Sequence, residues 1–154
     1  MTVYRPLLVF ILACMAMWNG LATAADLSID PCTLVKKGEV EQIVGRPTGN
    51  PTSERNDKVR MCTFLFSSDP SDALELWLYP VEALERAKKD IKDLSPVAGP
   101  GQEAFLHRDK KFEYVRLFVK KGKVMLEVRL NESAGDEDKV KAIAKKALGR
   151  FYPG

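Results

Sequence analysis

The chain has 154 residues, with 24 Lys plus Arg against 21 Asp plus Glu and a formal net charge of +3. That length accommodates one ordinary domain with its own hydrophobic core. The near-neutral balance argues against a general nucleic-acid binder and against an acidic disordered tail.

Arg5 is the only charge before Asp26, the stretch Leu7 to Trp18 is apolar, and Ala22-Thr23-Ala24 has the small-residue pattern that signal peptidase reads. Residues 1–24 therefore read as a signal peptide, leaving a single domain over 25–154. Its removal takes away Arg5 and no acid, so 23 bases face 21 acids in the mature chain. No second apolar run is long enough to span a bilayer, so no transmembrane helix is expected in the mature chain. The expected address is periplasmic or secreted. In such an oxidising compartment Cys32 and Cys62 are expected to form a disulfide. Ile11-Leu12-Ala13-Cys14 loosely resembles a lipobox, and a lipoprotein anchored at Cys14 is the alternative. The bulky Leu12, the apolar run after Cys14 and the downstream cleavage site favour the ordinary signal.

Asp30-Pro31-Cys32 opens the ordered domain, and Leu34, Val35, Val40, Ile43 and Val44 recur at helical spacing up to Gly45 and Pro47. Residues 46–58 are rich in Pro, Gly, Asn, Ser and charge without apolar period and read as an exposed loop. Strands follow at Met61–Phe66 and Leu74–Tyr79, separated by the turn-forming run Ser67 to Asp72. A disulfide from Cys32 to Cys62 would clamp the polar loop between them. In the chain-entropy model such a loop is worth roughly 3.5 kcal/mol.

An amphipathic helix is predicted from Val81 to about Leu94, with Val81, Leu84, Ala87, Ile91 and Leu94 on one stripe. The segment Ser95 to Gly101 breaks it, and Ala104–His107 reads as a short strand. From Phe112 to Asn131, Val115, Leu117 and Val119 alternate on one strand; Val124, Leu126, Val128 and Leu130 alternate on the next. Lys121-Gly122 reads as the two-residue hairpin turn, so that paired residue numbers sum to 243. That register sets Phe118 across from Met125, Arg116 from Glu127 and Tyr114 from Arg129, on the face away from the core. A final helix is predicted from about Asp136 to Phe151. The order α-β-β-α-β-β-β-α implies an α+β fold: a mainly antiparallel five-stranded sheet with helices packed on one face.

Asp30-Pro31-Cys32-Thr33-Leu34, then Glu39-Val40-Glu41 and Gly45-Arg46-Pro47, resemble the opening of a group of small exported bacterial domains of unknown function, many of them lipoproteins. The pattern continues with a second cysteine entering a strand, here Cys62, and a G-x-G-x-x-A-F motif, here Gly99 to Phe105. The resemblance implies the disulfide and an α+β fold and brings no activity with it. The chain departs from the lipoprotein members in lacking a good lipobox.

Candidate chemistry is sparse. His107 is the only histidine, whereas triads and zinc sites need oriented or multiple ligands, so a surface-strand role is expected for it. The Gly99-Pro100-Gly101 segment follows a helix and precedes a strand, the reverse of a phosphate-binding turn. The run Arg108 to Arg129 carries eight bases against three acids and reads either as a solvated hairpin or as a docking patch for an anionic partner.

The outer sheet face is the more informative feature. Strand alternation points Glu75 outward, and with it Trp77, Tyr79, Tyr114, Arg116 and Phe118, which Arg129 joins as the sixth of the aromatic and basic set. Such a face is expected to be covered by a helix or loop, to pair with a second copy, or to serve as a ligand surface. The resulting expectation is an exported non-catalytic binding module of the bacterial envelope using these six residues, with no cofactor and no metal. Its expected partner is an envelope protein or an anionic small molecule, with a homodimer through the aromatic face as a further possibility. The alternatives are an envelope hydrolase or isomerase and a lipid-anchored structural protein.

Overall fold

The computed structural model describes residues 27–151; the segment read as a signal peptide and Cys14 lie outside the described residues. The described residues are α+β, with one antiparallel sheet in the order β1-β2-β3-β7-β6-β5-β4 and three α-helices. The strands are β1 Thr52–Arg55, β2 Arg60–Leu65, β3 Ala73–Pro80, β4 Ser95–Pro96, β5 Glu103–Asp109, β6 Tyr114–Lys121 and β7 Val124–Asn131. The helices are α1 Lys37–Val44, α2 Glu82–Asp90 and α3 Glu137–Arg150, with a 3-10 turn at Pro31–Thr33.

The sheet has seven strands rather than the expected five. Both extra strands lie at the edges, where pairing comes from the backbone of one neighbour and requires no buried side chain. All four residues of β1 are exposed, so the stretch 46–58 carries no apolar period although part of it pairs with β2. Two-residue β4 pairs through Ser95 and Pro96 with Leu106 and Phe105 of β5.

The β6–β7 hairpin pairs Lys121 with Val124 and Val119 with Leu126, so the turn is Gly122-Lys123 and paired numbers sum to 245. Gly122 has φ 60°, and placing it first in the turn lets glycine carry the left-handed conformation. The expected register is thus displaced by two residues. Such a slip leaves every side chain on its predicted face but changes its partners. Arg116 stands opposite Arg129, Phe118 opposite Glu127, and Tyr114 opposite Asn131.

The helices occupy both faces of the sheet, not one. α1 and α3 cover the main core, where Val40, Val44, Val140, Ile143, Ala144 and Ala147 pack with inward residues such as Leu76, Leu117, Leu126 and Val128. α2 lies on the opposite face, where Leu84 buries Phe118 and Met125 in a second, smaller apolar cluster. The helix is shorter than its sequence stripe: Ile91 leaves the helical conformation at φ −100°, ψ 112°, and with Leu94 borders that cluster as part of the connection to β4.

The Cys32–Cys62 disulfide joins the 3-10 turn to β2 with a Cα–Cα distance of 5.1 Å. Asp30 organises the same corner: its Oδ1 accepts from the Cys32 N–H at 2.9 Å and from the Ser53 hydroxyl at 2.9 Å. Of the later motif, Gly101 has φ 68°, and a Cβ there would come within 2.6 Å of the Lys120 carbonyl oxygen, so only glycine fits. The motif residues therefore build turns and the staple.

α1 and α3 are tied by Arg150, which donates to Glu39 at 2.7 and 2.8 Å and to the Leu34 carbonyl at 3.0 Å. The Arg150 hydrogen bonds, helped by the Lys36 N–H, hold the Glu39 carboxyl down to about 2 against an ordinary 4.5. A depressed folded-state pKa contributes stability above the unfolded value and loses it as pH falls through the folded one. Glu39→Gln is therefore expected to lower the melting temperature near neutral pH, by an amount equivalent to roughly 1 kcal/mol after solvent screening. Thermal melts should show this gap narrowing as pH is lowered from 4.5 towards 2.

Candidate binding face

On the face away from the main core the register aligns two rows of side chains across the strands. One row runs Thr52, Thr63, Glu75, Arg129, Arg116, His107 from β1 to β5 and is polar throughout. The next runs Glu54, Met61, Trp77, Glu127, Phe118, Phe105. α2 covers the β5–β7 part of the second row and leaves the polar row open. The outer face is thus divided into a covered apolar half and an uncovered polar half.

This division separates the six residues singled out in the sequence. Phe118 is 1% exposed and sits beneath α2, inside the smaller apolar cluster. It is inaccessible to a partner, which corrects its expected place on the contact surface. Tyr79 borders the same cluster and is half-buried, and burial, followed by the charge of Glu127, pushes its hydroxyl pKa up. Trp77, Tyr114, Arg116 and Arg129 fall in the uncovered half.

Glu127 organises the centre. Its carboxylate is 2% exposed and accepts from Nε of Arg116 at 2.7 Å and Nε of Arg129 at 2.6 Å, both on Oε1. It therefore bridges two like charges that the register sets side by side, an arrangement that is unfavourable without a shared counter-ion. Burial works against the Arg129 charge, but the charge and hydrogen bond of Glu127, followed by Tyr79 and then Glu75, more than offset it, and its pKa is raised. Glu75 lies 3.6 Å from Arg129, and Asp109 lies 3.5 Å from Arg116. The cluster therefore holds three carboxylates against two guanidiniums.

Aromatic rings flank it. The Trp77 indole N–H donates to Glu75 at 2.8 Å, its ring stacks on Tyr79 at 5.8 Å, and the Arg129 guanidinium lies over it at 4.7 Å. On the other flank the Tyr114 hydroxyl donates to the Ser71 carbonyl at 3.0 Å. Phe112, in the turn between β5 and β6, is 59% exposed, with Lys111 over its ring at 5.0 Å. Glu75, Asp109, Phe112, Tyr114, Arg116 and Arg129 line an open cleft of about 310 Å³. Strand alternation already places Glu75 and Glu127 on this face without giving them a role in the site, whereas Asp109 and Phe112 join it only through the structure. A sequence signal existed for Phe112, an aromatic residue in a charged turn; Glu127 was read only as the cross-strand partner of Arg116.

His107 closes the polar row beside Arg116, and its Nδ1 is buried without a partner among the described residues. A histidine base needs that nitrogen held by an acceptor, and no such orienting contact is present there. The basic run from Arg108 to Arg129 is split by the hairpin: Lys110 and Lys111 lie at one end, Lys120, Lys121 and Lys123 at the other, and the central arginines are paired with carboxylates. Among the described residues no group of three or more His, Cys, Asp or Glu is placed to hold a metal ion, and no helix is long and apolar enough to cross a membrane.

No protein-family model matches the chain, and no curated protein matches it. Among solved structures, the crystal structure of a GTP binding regulator from Thermotoga maritima is similar at 9% sequence identity and a TM-score of 0.45, covering 78% of this chain and 93% of that one. Superposition at that level is too loose to transfer fold or function.

Proposed function

We propose that the chain is an exported, non-catalytic binding module of the bacterial envelope that recognises a protein partner through the uncovered half of its outer sheet face. The observation that carries this reading is the pre-organised centre of that face. A buried carboxylate fixes two guanidiniums, aromatic rings flank them, and an exposed Phe112 stands at the rim. Fixed Arg and aromatic side chains are the residue types that dominate protein interfaces, because little conformational entropy is left to lose on contact. The disulfide and the resemblance of Asp30 to Leu34 and Gly99 to Phe105 to exported domains support the envelope address.

An anionic small molecule is not carried into this reading, because the Arg116 and Arg129 charges are already met by three carboxylates.

The reading is tested by incorporating a photoreactive residue at Thr63, on the polar row, or at Lys145, on α3, and irradiating intact cells. A discrete cross-linked protein from position 63 and none from 145 is the expected result. Cross-links from 145 alone would move the interface to the helical face and overturn the proposal. Mass spectrometry of the mature N-terminus is expected to find a free Ala25; an acylated Cys14 would replace the soluble address with a lipid-anchored one.

A further inference from the structure

We propose that the helical side of the molecule, at the start of α1 and the C-terminal half of α3, docks on an anionic phospholipid surface. The outer sheet face would then be turned away from the bilayer. This goes beyond the binding-module reading and takes from it only the envelope address.

The charge of the chain is unevenly placed. Residues 139–150 carry five bases and no acid. Lys139 is spent within the fold, donating to the Val44 and Ala134 carbonyls at 2.9 and 3.1 Å, and Lys141 lies 3.6 Å from Glu137. Lys145, Lys146 and Arg150 remain. With Ile43, Ala142 and Gly149 they line an open groove of about 530 Å³ between α1 and α3, and no carboxylate is among its lining residues. Lys36, at the start of α1, adds a fourth base, exposed at the point where its backbone N–H donates to Glu39.

Among the described residues, Glu39 is the one carboxylate ion-paired with this group, and it lies deeper than the bases. Its side chain is 20% exposed, against 35% for Arg150 and 52% for Lys146. Its short bonds, 2.7 and 2.8 Å, both go to Arg150, whereas Lys146 stands 3.6 Å away. Lys145 is exposed and has no ion pair among the described residues. Four bases against one sunken carboxylate leave uncancelled positive charge at the opening. The outer sheet face has no such excess, because Arg116 and Arg129 are met there by carboxylates. The helix dipole accounts for a cation in the last turn, where Arg150 sits, but not for Lys145 and Lys146 before it.

A bilayer suits this surface better than an acidic protein does. Among the described residues the large exposed hydrophobics are Leu65 and Phe112, and neither lies on α1 or α3. The helical side therefore lacks the buried anchor around which protein interfaces are built. Attraction of lysines to anionic headgroups needs no such anchor and no fixed geometry, and each base near the surface adds to it separately.

The test sediments the full exported chain with vesicles of phosphatidylcholine alone or mixed in equal parts with phosphatidylglycerol. Binding to the mixed vesicles is expected to be stronger by about tenfold or more, and to vanish in molar salt, where charges are screened within about 3 Å. Lys145→Gln and Lys146→Gln together should weaken it by about thirtyfold, the effect of two surface bases, at an unchanged melting temperature. Lys89→Gln and Lys92→Gln remove the same charge from exposed positions on and just after α2, on the opposite side, and should change binding by less than about threefold. Equal losses from the two pairs would overturn the proposal in favour of attraction by net charge alone, as would equal binding to the two kinds of vesicle. Inorganic phosphate at the concentration of the lipid phosphate should not compete; displacement by it would overturn the bilayer assignment in favour of a free-anion site. A discrete protein cross-link from position 145 would overturn it in favour of an acidic protein. The outer face takes no part in vesicle binding, so failure here leaves the reading of that face to the cross-link from position 63.

Discussion

Replacing Phe118 by alanine is expected to destabilise the protein by about 4 kcal/mol, within the range for truncating a fully buried aromatic. Phe118 fills the space between the outer sheet face and α2 with Leu84 and Met125, and its ring also supports Arg116, whose guanidinium lies 5.0 Å from its centroid. The cavity would sit in the smaller cluster, where one nine-residue helix has few other apolar anchors. Denaturant unfolding should therefore show a large fall in midpoint together with early loss of α2. Trp77→Ala, two positions along the same row with Glu127 between, should cost only about 1–2 kcal/mol, because its stacking and cation–π contacts are worth about that much at a half-exposed site. Equal losses for the two would mean that the uncovered half of the face is core as well.

Replacing Glu127 by leucine is expected to cost about 4 kcal/mol, although leucine suits a site that is 2% exposed. The loss arises from what remains: Arg116 and Arg129 would face one another across β6 and β7 with no shared carboxylate. Their side chains are 19% and 26% exposed, so water relieves part of the repulsion and keeps the cost in the middle of the range for orphaned buried charges. The triple change Glu127→Leu, Arg116→Met, Arg129→Met should recover most of that stability, since removing a buried ionic group whole is far less costly than breaking it. Urea midpoints of the parent, single and triple variants check this directly. A single variant within about 0.5 kcal/mol of the parent would show that Glu127 does not hold the cluster.

Alternation in β6 and β7 made the inward residues legible. Alternation defines the faces whatever the exact register, because a slip of two residues preserves them. The same slip misassigned the electrostatics: Arg116 was expected to face Glu127, whereas its cross-strand neighbour is Arg129 and Glu127 reaches both from an adjacent position. β1 was illegible for a different reason. Thr52 to Arg55 are wholly exposed, and their strand state comes from pairing with β2, a long-range contact with no local signature. The stripe on α2 announced a buried helix face but not which side of the sheet it meets. That one missing bit hid Phe118 under the helix. The helix termini were more local: Gly45 closes α1 at φ 79°, and Asp136 caps α3 through the N–H groups of Asp138 and Lys139.

The account centres on the uncovered half of the outer face as the contact surface, and Phe112 is its cleanest probe. It is 59% exposed and, among the described residues, Lys111 alone lies over its ring, so Phe112→Ala should leave the melting temperature unchanged within error. The decisive measurement is the yield of the cross-linked species from position 63 in cells carrying that change. Loss of the cross-link at unchanged stability is the result the account predicts. An undiminished cross-link would contradict it.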